Sequence, residues 1–188
     1  DESAIDLIIP ASRAFGTGQH ETTAGCLAML GWLKQRGVRP RWIADIGTGT
    51  GLLAIGALKL FPTANVIASD IDPVCAEIVE ENAGNNAVAL GQRPGALHYV
   101  TAPGMNHPAL AARAPYDLLI ANILAGPLIE LAPDFAHTLM PGARVILAGL
   151  LTTQEAKVTR AYQRQGLRVE RRIADGDWSI LCLRNVRG

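Results

Sequence analysis

Apolar positions along the chain fall into short buried runs that alternate with helical segments, separated by polar or glycine-rich turns. WIADI (42–46) is a short apolar run leading into GTGTG (47–51), and LLAIGALKLF (52–61) then reads as a buried helix stopped by Pro62. NVIASD (65–70) predicts a second strand, and Pro73 to about Asn86 a second helix. The stretch from Ala87 to Gly95 lacks periodicity and reads as loop, before a weak third strand at LHYV (97–100). A short Ala-rich helix near 108–114 precedes YDLLIANI (116–123), a run long enough for a central strand. LIELAPDFAHTLM (128–140) predicts a helix ended by Pro141-Gly142, RVILAGLL (144–151) a fifth strand, and Thr153 to Gln165 a helix capped by Gly166. LRVERRI (167–173) and WSILCLR (178–184) follow each other across ADGD with no helix between, so they read as an antiparallel hairpin.

Strands alternating with helices, and apolar through most of their length, mean a parallel sheet covered on both faces. The expected fold is α/β, a doubly wound, mostly parallel sheet with an antiparallel hairpin at its C-terminal edge. With no internal repeat, low-complexity tract or Ser/Pro-rich linker, residues 1–188 read as a single domain.

Composition narrows the class. Hydrophobic residues make up 49% of the 188 and charged residues 18%, which argues against extended disorder. The 17 basic and 17 acidic residues cancel, so no broad phosphate-binding face and no direct nucleic-acid binding are expected. Of the basic residues, Arg168, Arg171 and Arg172 cluster in LRVERRI, where alternation puts part of the group on a solvated strand face. Cys26, Cys75 and Cys182 are sparse, odd in number and unpaired in spacing, as in a reduced cytoplasmic protein. The histidines (His20, His98, His107 and His137) show no metal-ligand spacing, so no metal site is expected. No apolar run approaches the ~20 residues that span a bilayer.

The segment ADIGTGTGLLAIGALKL carries the chemistry. A strand ends near Asp45, and Gly47, Gly49 and Gly51 precede a helix, so the backbone turns sharply and a ligand approaches with no Cβ in the way. In doubly wound sheets this turn lies at the carboxyl end of the first strand, where ligands bind. Dinucleotide binding needs GxGxxG, and here Leu52 follows Gly51, so the spacing favours a nucleoside without phosphates. Asp70, at the end of the second strand, is placed to accept hydrogen bonds from ribose hydroxyls. Its neighbour Asp72 precedes Pro73, the pattern of a helix N-cap followed by proline in the first turn.

ADIGTGTG with ASDID resembles the glycine motif and ribose acid of class I S-adenosylmethionine-dependent methyltransferases. AFGTGQHETT (14–23), ANILAGPLIELAP (121–133), PGARVILAGLLTTQ and the terminal GDW narrow the resemblance to the PrmA family, which methylates the eleventh protein of the large ribosomal subunit. It extends from about Ala14 to Leu183. The resemblance implies a class I Rossmann-like fold, S-adenosyl-L-methionine as cofactor, and cofactor contacts at Thr23, Gly47, Asp70 and Asn122, with Gly49 in the same loop. Thr23 is expected at the start of a helix whose free N–H groups suit the methionyl carboxylate. Asn122 is expected to orient the acceptor nitrogen. Many amide and base N-methyltransferases carry Asn-Pro-Pro-aromatic at that place, whereas this chain has Asn-Ile-Leu, in agreement with PrmA. His20 is either a loop residue or close to substrate, and Phe15 either covers the cofactor or anchors its loop.

The implied substrate is a protein amine, a lysine ε-amine or an N-terminal α-amine, of that large-subunit ribosomal protein. The family places a recognition domain before its catalytic domain, and only about thirteen residues precede the entry motif here. The chain is therefore expected to be a catalytic domain without its recognition domain, or else a standalone methyltransferase acting on another protein, a small molecule or RNA. A nicotinamide oxidoreductase would need the missing third glycine. A non-catalytic cofactor-binding domain would keep Gly47 and Asp70 while losing the acceptor segment, and retention of Asn122 weighs against it.

Overall fold

The computed structural model describes residues 7–8 and 19–187. Eight strands form one sheet: β1 (Trp42–Ile46), β2 (Asn65–Asp70), β3 (Ala89–Leu90), β4 (Ala96–Thr101), β5 (Tyr116–Asn122), β6 (Leu139–Leu151), β7 (Leu167–Asp175) and β8 (Trp178–Asn185). Their order across the sheet is β3-β4-β2-β1-β5-β6-β8-β7. The first six strands in this order pair in parallel, β8 runs antiparallel to β6, and β7 closes the edge antiparallel to β8. The expected parallel sheet with its antiparallel edge hairpin is what the chain forms.

Successive strand residues point to opposite faces, and both faces are apolar. Ile43, Leu118, Ile120 and Ile146 pack on one side against Cys26, Met29 and Leu33 of α1 (Gln19–Gln35) and Leu53 and Ile55 of α2 (Leu52–Leu60), beside α3 (Cys75–Asn85). On the other side Ala44, Leu119, Val145 and Leu147 meet Leu110 of α4 (Pro108–Arg113), Leu128 of α5 (Ala125–Glu130), Phe135 of α6 (Ala132–His137) and Tyr162 of α7 (Glu155–Arg164). Buried Tyr162 spends its hydroxyl on the Leu128 carbonyl at 2.9 Å, and Tyr116 does the same on Leu110 at 2.7 Å. Among the described residues no helix is long and apolar enough to cross a membrane.

Several boundaries differ from the sequence reading, each for a local reason. Ala89–Leu90 is a two-residue parallel strand beside β4, and both side chains are exposed, so no apolar run announces it. The helix expected over 128–140 is two helices, because Pro133 lies in the first turn of α6 and has no N–H to continue α5. Nor do Pro141 and Gly142 end the segment. Between the pairs Tyr116–Leu139 and Leu118–Arg144, β6 advances five residues against two on β5, and the excess forms an irregular excursion of the strand. A bulge between Val169 and Arg171 divides the basic cluster. Arg171 lies 5.0 Å from the Trp32 ring, Arg172 pairs with Glu155, and Arg168 is exposed, so the three make no common basic face.

At the end of α3, the Val88 N–H donates to the Ala83 carbonyl and the Ala87 N–H to Gly84, a left-handed helix stop. The left-handed residue is Ala87, at φ 53°. Relief of about 1–2 kcal/mol of strain, less the greater unfolded-chain entropy of glycine at ~0.4–1 kcal/mol, gives Ala87→Gly an expected net gain of about 0.5–1 kcal/mol. Urea denaturation of the two proteins measures it.

Candidate functional site

The carboxyl ends of β1, β2, β4 and β5 open into a cavity of about 910 Å³, bounded by the glycine loop, the first turns of α1 and the helices α5 and α6. Loop 47–51 is held by main-chain and side-chain groups together. Gly47 and Thr48 both donate to the Ser69 carbonyl, at 2.8 and 2.9 Å, and the Gly51 N–H closes the turn on Thr48. Gly47 has φ 74°, and a Cβ built on it would lie 2.3 Å from Cγ2 of Ile123, so this position needs glycine for conformation and for space. Gly49, at φ 56°, lines the cavity and gives its N–H to Oδ2 of Asp70 at 2.8 Å.

Asp70 therefore fixes the loop as well as lining the cavity. Its Oδ1 accepts from the Asp72 N–H at 3.1 Å, and each carboxylate oxygen retains acceptor capacity toward the cavity. Asp72 accepts the Val74 N–H at 3.0 Å and so caps the turn through Pro73, while α3 itself begins only at Cys75.

Asn122 and Thr23 meet at the other end of the cavity. The strand β5 delivers Asn122 to the rim, α1 delivers Thr23, and the Asn122 Nδ2 donates to the Thr23 hydroxyl at 3.4 Å. One expectation changes. Helix α1 begins at Gln19, so the free N–H groups of its N-terminus precede Thr23, which offers the cavity its hydroxyl instead. Buried Thr22 lines the same wall. His20 falls within α1, whereas Phe15 and residues 14–18 of the entry motif lie outside the described residues.

Three residues of the site were not singled out by spacing alone. Asp45 lies beneath the loop, 1% exposed, and one oxygen, Oδ2, accepts both the Thr48 hydroxyl at 2.6 Å and the Ala54 N–H at 3.1 Å. Its other oxygen, Oδ1, has no partner among the described residues. Burial pushes the carboxyl up to about 7, against the lowering effect of the two hydrogen bonds and with a smaller push from Asp70. Gly149 has φ 81°, and a Cβ there would stand 2.5 Å from the Ile123 carbonyl oxygen, so glycine alone lets β6 pass the end of β5. Trp178 opens β8, pairs with Leu151 and reaches the cavity wall from a point remote in sequence. Its signal was the GDW match, which gives no position in space. Among the described residues, no group of three or more His, Cys, Asp or Glu side chains is placed to hold a metal ion.

The chain has relatives among known proteins. A family model described as ribosomal protein L11 methyltransferase (PrmA) matches residues 1–186. The chain is 44% identical over 179 residues to the ribosomal protein L11 methyltransferase of Sinorhizobium fredii, covering 95% of this chain and 59% of that one. The protein of the same name from Agrobacterium fabrum is 46% identical over 181 residues, covering 96% and 59%. The chain thus spans about three fifths of the length of these curated relatives. Among solved structures, the ribosomal protein L11 methylase of Lactobacillus delbrueckii subsp. bulgaricus superposes with a TM-score of 0.72 at 32% identity, over 92% of this chain and 82% of that one. Precorrin-6y C5,15-methyltransferase from Geobacter metallireducens GS-15 shares the fold, with a TM-score of 0.70 at 16% identity over 94% of this chain and 93% of that one.

Proposed function

This chain belongs to the PrmA family of ribosomal protein L11 methyltransferases, and from that premise we propose that it methylates protein amines with S-adenosyl-L-methionine. The observation that carries the proposal is the convergence on one cavity of the glycine loop, Asp70 and the Asn122–Thr23 pair. The residues suit the cofactor. Asp70 has acceptor capacity for ribose hydroxyls, Gly47 and Gly49 leave the backbone open to close approach, and the Thr23 hydroxyl is available to the methionyl end. A nucleoside without phosphates fits a loop whose Gly47, Thr48 and Gly49 N–H groups are already taken by Ser69 and Asp70.

The bound cofactor supplies an electrophilic sulfonium methyl group. The chain's own task is to hold an uncharged nitrogen in line with it, and such alignment can be worth up to ~7–11 kcal/mol of a barrier. A free lysine amine has a pKa of about 10.4, so the reacting nitrogen must give up its proton before it attacks. Asn122 orients the lone pair, and Thr23 in turn fixes the Asn122 carboxamide. The carboxylates of Glu130 and Asp134 on the same wall favour the approach of a cationic substrate.

The proposed target is a lysine ε-amine or N-terminal α-amine of ribosomal protein L11, within the reducing cytoplasm. Three buried, free cysteines support that compartment. The continuous sheet and its two flanking cores support reading the chain as one catalytic domain.

Because an orienting hydrogen bond of about 1–1.5 kcal/mol acts mainly in the transition state, Asn122→Ala should lower kcat roughly tenfold and leave substrate KM nearly unchanged. A rise in KM at constant kcat would instead make Asn122 a binding residue. The broader test incubates the full-length gene product and labelled S-adenosylmethionine with ribosomal proteins, tRNA and rRNA. Label on L11 is expected. Label confined to RNA overturns the amine assignment, and label on another protein overturns the named target.

A further inference from the structure

The α3 C-terminus carries a fully occupied carboxamide with a partner far away in sequence. Asn86, 4% exposed, accepts the Ile8 N–H on Oδ1 at 2.9 Å and returns Nδ2 to the Ile8 carbonyl at 2.7 Å. This is the two-point pairing that one strand makes with another, performed by a side chain. The second Nδ2 hydrogen goes to the Asn82 carbonyl at 2.8 Å. Asn82 is itself buried, and its own Nδ2 donates to the Thr50 carbonyl of the glycine loop at 2.9 Å. Leu7 packs beside Gly56 of α2 in the adjacent core, whereas the Ile8 side chain is 61% exposed. At Ile8 it is therefore the main chain that is held.

We propose that Asn86 is a positioning residue that clamps the main chain at Ile8 and, through Asn82, ties it to the wall of the cofactor cavity, so that docking of residues 7–8 and retention of S-adenosylmethionine are coupled. The inference rests on the reading of that cavity as the cofactor site. Its physical basis is saturation. Both Asn86 donor hydrogens are used, and withdrawal of Ile8 strands a buried acceptor and a buried N–H. That cost is relieved by rearranging the last turn of α3, the turn in which the Asn82 carbonyl also receives the Asn86 main-chain N–H at 3.2 Å. Movement there shifts the Asn82 side chain and with it the Thr50 carbonyl, next to Gly49. Coupling between two sites is reciprocal, so the cofactor must stabilise the docked segment by the factor by which docking strengthens the cofactor.

Two measurements on the intact chain read the two sides of this linkage, calorimetric titration with S-adenosylmethionine and hydrogen exchange at the Ile8 amide followed by NMR. Asn86→Leu removes the clamp. Ile8→Pro removes the N–H that Asn86 accepts, fixes the local φ and leaves α3 unaltered in sequence, so any effect at the cavity travels from the docked segment. The cofactor is expected to slow Ile8 exchange about fivefold or more in the native chain. Ile8→Pro and Asn86→Leu should each raise Kd by a similar factor. In Asn86→Leu the Ile8 amide should exchange fast with or without cofactor. An unchanged Kd in Ile8→Pro, or Ile8 exchange indifferent to cofactor in a native chain that binds it, overturns the coupling. A native chain that binds no S-adenosylmethionine overturns the cofactor reading instead.

Discussion

Replacing Asp70 by alanine is expected to raise the Kd for S-adenosylmethionine by roughly 10- to 100-fold. Hydrogen bonds to a charged group contribute about 1.5–3 kcal/mol, and this carboxylate serves the site in two ways. It faces the cavity from the end of β2, and it holds the Gly49 N–H at 2.8 Å, which sets the turn of the loop. Asp70→Asn separates the two contributions. One carboxamide oxygen can still accept from Gly49, while the NH₂ in place of Oδ1 can accept neither from the Asp72 N–H nor from a ribose hydroxyl. Intermediate weakening in Asp70→Asn is the expected calorimetric result. Equal affinities for native and alanine proteins, with the fold intact, would remove Asp70 from the cofactor site.

The sheet was legible because its central strands are buried on both faces and carry little else. YDLLIAN and RVILAGLL are apolar runs bounded by turns, and the parallel order follows from the helices between them. Elements whose stability comes from neighbours were not legible. Ala89–Leu90 is a strand only because β4 lies beside it, and β6 runs through Pro141-Gly142 because Tyr116 pairs with Leu139 ahead of the excursion. The site divides in the same way. Gly47, Gly49 and Asp70 sit in local motifs whose spacing expresses their geometry. Trp178 and Gly149 depend on where β8 and β6 pass the end of β5, and the Asn86–Ile8 clamp joins positions 78 residues apart. Asp45 was visible as an acid before the loop, yet its burial and its unpartnered oxygen are products of packing.

Asp45 gives the stability of the fold a pH dependence opposite to that of an ordinary carboxylate. Its pKa lies near 7 in the folded chain and at 3.8 without the fold, with burial as the main cause. Between those values the native state holds a proton that the unfolded state has lost, so stability from this group is full below about pH 4 and declines as pH rises through 7. At about 1.4 kcal/mol per pKa unit, the loss approaches ~4 kcal/mol as an upper limit. Asp45→Asn should abolish it. The carboxamide oxygen can still accept from Thr48 and Ala54, and its NH₂ takes the place of the oxygen that has no partner among the described residues. The difference in unfolding free energy between the variant and the native protein cancels the other titrations. From urea titrations at pH 5 to 8.5, that difference is expected to grow in favour of the variant up to about pH 7 and then to level off. A constant difference across the range, or one that grows toward acid, would mean that Asp45 is ionised in the native state throughout and that hydrogen bonding to the loop outweighs its burial.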